Sequence, residues 1–277
     1  MNKNFRLEIF NKASLCRNFE EEVILNVNNK NIKTPVYVSA GQEFIASSIS
    51  SICKKKKIKP LIFGQHRCHS TYLAFGGNIT ELIDELLGKE TGCTKGKGGS
   101  ASINSKAINM YGHDGFMGSN ACIGVGACFS SKKPTIIFIG DAAAEEDYVL
   151  GALGWAAHKK LPILFIVEDN DLSILTKKNI RRNWNMRDVA RSFKLEGHDI
   201  KDNPTEIEKY SKLFFKKPML LNINTTRIYW HAGGGKDKDK TFDRFKNEKK
   251  ILGAEAIKID EYNKVYIKKL WKSQLEK

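Results

Sequence analysis

Long apolar runs are missing from this 277-residue chain. None approaches the ~18 consecutive apolar positions of a membrane-spanning helix, so no membrane association is expected. The opening stretch MNKNFRLEIFNKASLCRNFEEEVIL lacks the apolar block of a secretory signal. Its Glu8, Glu20, Glu21 and Glu22 are foreign to a transit peptide, and a cytoplasmic protein is expected. The six cysteines (Cys16, Cys53, Cys68, Cys93, Cys122, Cys128) form no CxxC pair and no zinc-like spacing. That argues against a zinc site and a disulfide framework, and leaves them as small buried or half-buried side chains. No internal repeat, low-complexity tract or linker divides the chain, so residues 1–277 read as one domain with an N-terminal helix and a C-terminal helical tail.

Charge is plentiful and one-sided: the formal net charge is +15. The excess is nearly all lysine, in runs at Lys54 to Lys57, Lys159–Lys160 and Lys236 to Lys240 and along the C-terminal helix. Aromatic residues are not interleaved with these runs and no DNA- or RNA-binding motif is present, so nucleic acid is not the expected partner. Solvated faces account for most of the lysines; an acidic protein partner or an anionic ligand is the remaining reading. Hydrophobic content of 41% and charged content of 28% are those of an ordinary globular domain with a sizeable core.

The pattern alternates. Helices are expected at 3–28, after Gly41 (QEFIASSISSICKK), and at 79–88, 119–131, 145–159, 185–193, 204–215 and 253–275. Short continuous apolar strands fall between them: PLIFG (60–64), TIIFIG (135–140), PILFIVE (162–168) and MLLNINT (219–225). A Gly-rich stretch, 90–118, shows little periodicity. Buried strands separated by helices predict an α/β fold, a doubly wound parallel sheet covered on both faces. In such sheets ligands bind beyond the carboxyl ends of the strands. Four polar clusters follow strand ends here: His66–Arg67, Asp141, Glu168-Asp169-Asn170, and Arg227 to His231.

Asp141 ends a buried strand and is followed only by alanines. Asn170 comes one helix–strand unit later, so on neighbouring strands the two oxygens reach one point. A carboxylate, an amide oxygen and a backbone carbonyl make a hard, incompletely filled oxygen site suited to Mg²⁺, which takes its remaining ligands from water and phosphates. The helix start behind the alanines favours negative charge. Arg67 and Arg227 would neutralise a diphosphate, with His66 and His231 as further donors. The alternative for Asp141 is a helix N-cap.

The stretch GDAAAEEDYVLGALGWAAHKKLPILFIVEDND resembles the thiamin diphosphate motif, Gly-Asp-Gly followed by a helix, a strand and Asn-Asn. More closely it resembles the α subunit of the thiamin-dependent first component of 2-oxo acid dehydrogenases (pyruvate, acetoin and branched-chain types). GQE (41–43), HRCHSTYLAFGGNITELIDELLGKETGCTKGKGGS (66–100) and GHDGFMGSNACIGVGACFSSK (112–132) agree with it in order, and the likeness runs from about residue 5 to 250. The resemblance implies the diphosphate-binding domain of the thiamin diphosphate-binding fold. Carried over residue by residue, it implies Mg²⁺ on Asp141, Asn170 and the Leu172 carbonyl, and the diphosphate on Arg67, Arg227 and His231, with His66 alongside and Ala142 and Ala143 offering backbone. Gly115 and Met117 fall where the loop touches the aminopyrimidine; Met117 is either a wedge for the bent cofactor or core filling. His231 and His69 are the candidate catalytic histidines, His69 at the mouth of the site or in a structural role; a His66/His69 zinc pair lacks a third ligand.

The pattern also departs from the family's. Ala142 stands for Gly, which requires a negative φ, and Asp169 stands for the first Asn. His66 stands where Tyr is usual and Tyr37 where many members have His. Trp230 replaces a Gly, Ser102 a common His, and Ala232 a regulatory serine of some animal members. The carboxylate that activates the cofactor belongs, in this family, to a β subunit with the pyrimidine-binding domain; Glu43 of GQE is expected to be structural. The expected protein is therefore the α subunit of an α2β2 enzyme that oxidatively decarboxylates a 2-oxo acid and passes the acyl group to a lipoyl acyltransferase. The alternative is a stand-alone two-subunit thiamin-dependent decarboxylase or carboligase in a biosynthetic pathway such as sugar or surface-polymer synthesis.

Overall fold

The computed structural model describes residues 1–113, 115–233, 235 and 242–277; the lysines of the 236–240 run lie outside the described residues. In chain order the elements are α1 (Lys3–Asn28), α2 (Glu43–Lys55), β1 (Leu61–Phe63), α3 (His69–Ala74), α4 (Ile79–Leu86), β2 (Met110–Tyr111), α5 (Ser119–Ser131), β3 (Thr135–Gly140), α6 (Asp147–His158) and β4 (Ile163–Asp169). There follow β5 (Leu172–Ser173), β6 (Thr176–Lys177), α7 (Lys178–Arg181), α8 (Met186–Ser192), β7 (Glu196–Lys201), α9 (Pro204–Tyr210), β8 (Met219–Asn224), α10 (Arg244–Leu252) and α11 (Ala254–Leu275). Six strands form one sheet in the order β2-β1-β3-β4-β8-β7, with every pair parallel; β5 and β6 make a separate small hairpin.

Alternation along each strand divides the core in two, because successive side chains point to opposite faces. Ile136, Phe138, Leu164, Ile166 and Leu221 pack with α1, α2 and α3 on one face. Ile137, Ile139, Phe165, Val167 and Leu220 pack with α5, α6 and α8 on the other. Helix α5 lies close to the sheet through Gly124, where a Cβ would come within 2.6 Å of the Ile137 side chain and 3.0 Å of Phe63. Both faces are thus covered, as the continuous apolar strands predict.

The sheet contains two strands absent from the sequence reading. β7, EGHDIK, occupies an edge and buries only Gly197 and Ile200, so it carries none of the apolar continuity of its neighbours. β2 is two residues long inside the Gly-rich stretch. The chain leaves β1 toward β2 on one side and β3 toward β4 on the other, which places the switch point, and hence the ligand crevice, at the carboxyl ends of β1 and β3.

Candidate active site

The crevice is real. A cavity of about 210 Å³ opens there, walled by His66, Arg67, Met117, Asp141, Ala142, Ala143, Asn170, Leu172, Arg227 and His231, all singled out in the sequence, together with Gln65, Glu146 and Ser173 among others. The parallel register that aligns Gly140 with Glu168 sets Asp141 and Asn170 just beyond adjacent strand ends.

Asp141 is buried, and burial pushes its carboxyl up to about 6 despite an ion pair with Arg181 at 2.6 Å. No side-chain hydrogen bond caps the following elements; a 3-10 turn (Ala143–Glu145) intervenes and α6 starts only at Asp147. The N-cap alternative is therefore incorrect, and the helix start stands further from Asp141 than the sequence suggests. Ala142 has φ −75°, so a side chain is accommodated where the family pattern has Gly. The extra carboxylate of Asp169 turns toward β8 and α7: it accepts from Asn222 Nδ2 at 3.0 Å and pairs with Lys178 at 2.5 Å. Lys178 is thereby its direct counter-charge, while the Asp169 carboxylate still adds to the upward push on Asp141. Asn170 donates from Nδ2 to Gln42 Oε1 at 3.0 Å and accepts from the Leu172 N–H at 3.2 Å.

The cationic wall is fixed by carbonyls. Arg67 donates to Val38 O at 2.7 Å and His231 O at 3.0 Å, and Arg227 donates to Ile174 O at 2.8 Å. Ile174 holds φ +51° in the turn between β5 and β6, an uncommon conformation for a β-branched residue. His66 sits among Arg67, His231, His113 and Arg227; burial first, then these charges, push its imidazole down to about 2, so it is neutral. Its buried Nε2 has no hydrogen-bond partner among the described residues. The ring of Tyr37 meets His66 edge-on at 5.1 Å and His231 at 5.6 Å. Tyr37 and His66, two departures from the family pattern, are thus neighbours that exchange residue types and keep one phenol and one imidazole in place.

Two of the expected residues lie off the cavity wall. Gly115 is exposed, with φ +111°, and does not line the cavity. His69 is fully buried away from it: Nδ1 meets Glu20 Oε2 at 2.9 Å and Nε2 meets Ser100 Oγ at 2.8 Å. With both ring nitrogens engaged it ties the Gly-rich loop to α1, outside the residues that line the cavity, which fits the structural role expected as its alternative. Met117 is 42% exposed, which removes the core-filling alternative. Glu43 is buried against Arg17 at 2.6 Å and the Gly41 N–H, a structural role as expected. Sequence reasoning missed Gln65, Gln42 and His113; Gln42, inside GQE, and His113, inside the 112–132 stretch, stood in quoted motifs as possible signals, and Gln65 did not.

The family model for the dehydrogenase E1 component matches residues 11–274, through α11. The chain is 27% identical over 241 residues to the pyruvate dehydrogenase E1 component subunit alpha of Rickettsia bellii, covering 82% of this chain and 72% of that one. It is 29% identical over 245 residues to the mitochondrial pyruvate dehydrogenase E1 component subunit alpha of Dictyostelium discoideum, covering 83% and 63%. In fold it is similar to a transketolase from Leishmania mexicana, with TM-score 0.59 and 14% identity over 98% of this chain and 46% of that one. The chain belongs to the dehydrogenase E1 component family, the thiamin diphosphate-dependent 2-oxo acid dehydrogenases whose α subunits its motifs resemble.

Proposed function

We propose that this chain is the α subunit of a two-chain enzyme that oxidatively decarboxylates a 2-oxo acid and transfers the acyl group to a lipoyl carrier. The observation that carries the reading is the convergence of Asp141, Asn170 and Leu172 with Arg67 and Arg227 on one cavity at the sheet's switch point. The residues fit Mg²⁺ and a diphosphate. The oxygen-bearing groups are hard, the buried Asp141 carboxylate already draws a cation, Arg181 at 2.6 Å, and His66, whose buried Nε2 has no hydrogen-bond partner among the described residues, lines the same cavity. Asp141, Asn170 and the Leu172 carbonyl would hold the metal; Arg67, Arg227 and His231 would hold the diphosphate. When bound, thiamin diphosphate supplies the nucleophilic carbon that makes loss of CO₂ from a 2-oxo acid feasible.

The chain's own contribution is position and charge. Carbonyl-anchored Arg67 and Arg227 hold fixed positive charge at the cavity and lose little freedom when an anion binds. His231, placed at the cavity between Tyr37 and His66, is the group best sited to bind a substrate carboxylate or pass a proton at its imidazole. At about 210 Å³ the cavity falls below the ~300–1,000 Å³ of complete small-molecule sites, which supports completion by a β subunit. So does an exposed apolar face on α5 and α6, where Ile123, Phe129, Tyr148 and Trp155 are each between 38% and 51% exposed.

The test is the assembled pair of chains incubated with thiamin diphosphate, Mg²⁺ and pyruvate or branched-chain 2-oxo acids, with ferricyanide as electron acceptor. Reduction that depends on the oxo acid is expected, with acyl transfer when a lipoyl domain replaces ferricyanide. Formation of an aldehyde or a carbon–carbon ligation product, without acyl transfer, would sink the dehydrogenase reading.

A further inference from the structure

A larger cavity, about 680 Å³, lies at the other end of the sheet, where the chain enters β1 and β2 at Pro60 and Asn109. Its floor is apolar, with Leu15, Cys53, Ile62, Leu73, Phe75 and Ile108 from α1, α2, α3 and the two strand entrances. Lys12, Lys54, Lys57 and Lys59 line it, and no Asp or Glu does. Lysines from two separate segments, α1 and the 54–59 stretch, thus line an apolar hollow, an arrangement that raises the positive potential there.

One of these lysines is built into the wall. Ser50 donates its hydroxyl proton to the Ala74 carbonyl at 2.8 Å, and its oxygen accepts from Lys12 Nζ at 2.7 Å. The ammonium is thereby held at the cavity by a neutral partner. Among the described residues no carboxylate lies within ion-pair distance of Lys12, Lys57 or Lys59; Lys54 alone is paired, with Glu8 at 3.0 Å. Burial holds the Lys12 amine below the usual lysine range. Glu8 opposes this only from beyond ion-pair distance and Lys54 adds to it, and a half-buried cation without a direct ion-pair partner is one that a bound anion would stabilise.

We propose that this cavity binds a small organic anion, an apolar body carrying a carboxylate or phosphate that meets Lys12 and Lys57. The volume suits a metabolite-sized molecule. The site is separate from the Asp141 cavity and shares no residue with it.

The experiment uses the assembled complex with the Asp141 cavity saturated by thiamin diphosphate and Mg²⁺. The probe is 8-anilinonaphthalene-1-sulfonate, followed by fluorescence, with octanoate and ADP as competitors to separate carboxylate from phosphate ligands. The expected result is saturable binding that one competitor displaces and that Lys12→Gln/Lys57→Gln weakens about tenfold or more. Ala107→Trp fills the cavity from its exposed rim and tests the same point without touching the core, and it should abolish binding. Unchanged affinity in both variants overturns the proposal. So does binding by the isolated chain that vanishes in the complex, which would make this face a subunit interface.

Discussion

Glu168 lies one position before the Asp169–Asn170 pair, buried in β4, and accepts from the Gln65 side chain. Burial pushes its carboxyl from 4.5 up to about 7. The folded chain therefore holds this proton more tightly than the unfolded chain, and stability falls as pH rises between those two values. Glu168→Gln should leave Tm nearly unchanged near pH 4.5 and stabilise the chain above pH 7 by on the order of 3 kcal/mol. Thermal unfolding at the two pH values checks it; equal shifts at both would contradict the assignment. Residue chemistry of this kind was only partly legible in the sequence. Asp141 and Asn170 were, because one helix–strand unit separates them and adjacent parallel strands then bring them together. The Arg181 partner of Asp141 was not, because it depends on the chain returning over the strand ends through the β5–β6 hairpin and α7. The exchange of Tyr37 and His66 showed as two unrelated departures until their rings were seen in contact.

Among the elements, the Gly-rich loop of residues 94–99 gains its shape from a helix. Glu85 of α4 accepts the N–H groups of Thr94, Gly96, Gly98 and Gly99 at 2.7, 2.9, 2.8 and 2.9 Å. Burial pushes its carboxyl up, and the bonds from Thr94, Gly96 and Gly99 more than offset this, leaving it below the ordinary value of 4.5. Its stabilisation is present above that value and lost as pH falls through the lowered one. Glu85→Gln keeps the length and replaces one acceptor oxygen by a donor that faces N–H groups. A loss of about 2–3 kcal/mol is expected, with faster proteolysis between residues 90 and 105. Unchanged unfolding and cleavage would contradict this account of the loop. The helices and central strands were legible because burial imposes periodicity. The loop was not, because its order comes from one carboxylate several residues upstream. The edge strand β7 was not either, since an edge keeps polar residues on its exposed positions.

At the scale of the molecule, the proposed β chain would dock on the exposed apolar face of α5 and α6. Ile123 on α5 is 51% exposed, so Ile123→Asp should leave the fold intact, within about 0.5 kcal/mol, while weakening β-chain association by about 2 kcal/mol. Analytical ultracentrifugation of the two chains reads the difference; undiminished assembly would place the interface elsewhere. The family match through residue 274 takes in the C-terminal helix, beyond the span in which the motifs themselves were legible. The most direct measurement is a calorimetric titration of thiamin diphosphate, in Mg²⁺, into the assembled complex with wild-type or Asp141→Asn α chain. Saturable, Mg²⁺-dependent binding to the wild type is expected, with a loss of about 2–5 kcal/mol, or no binding, in the variant. Equal affinity in the two, or binding that ignores Mg²⁺, would contradict it.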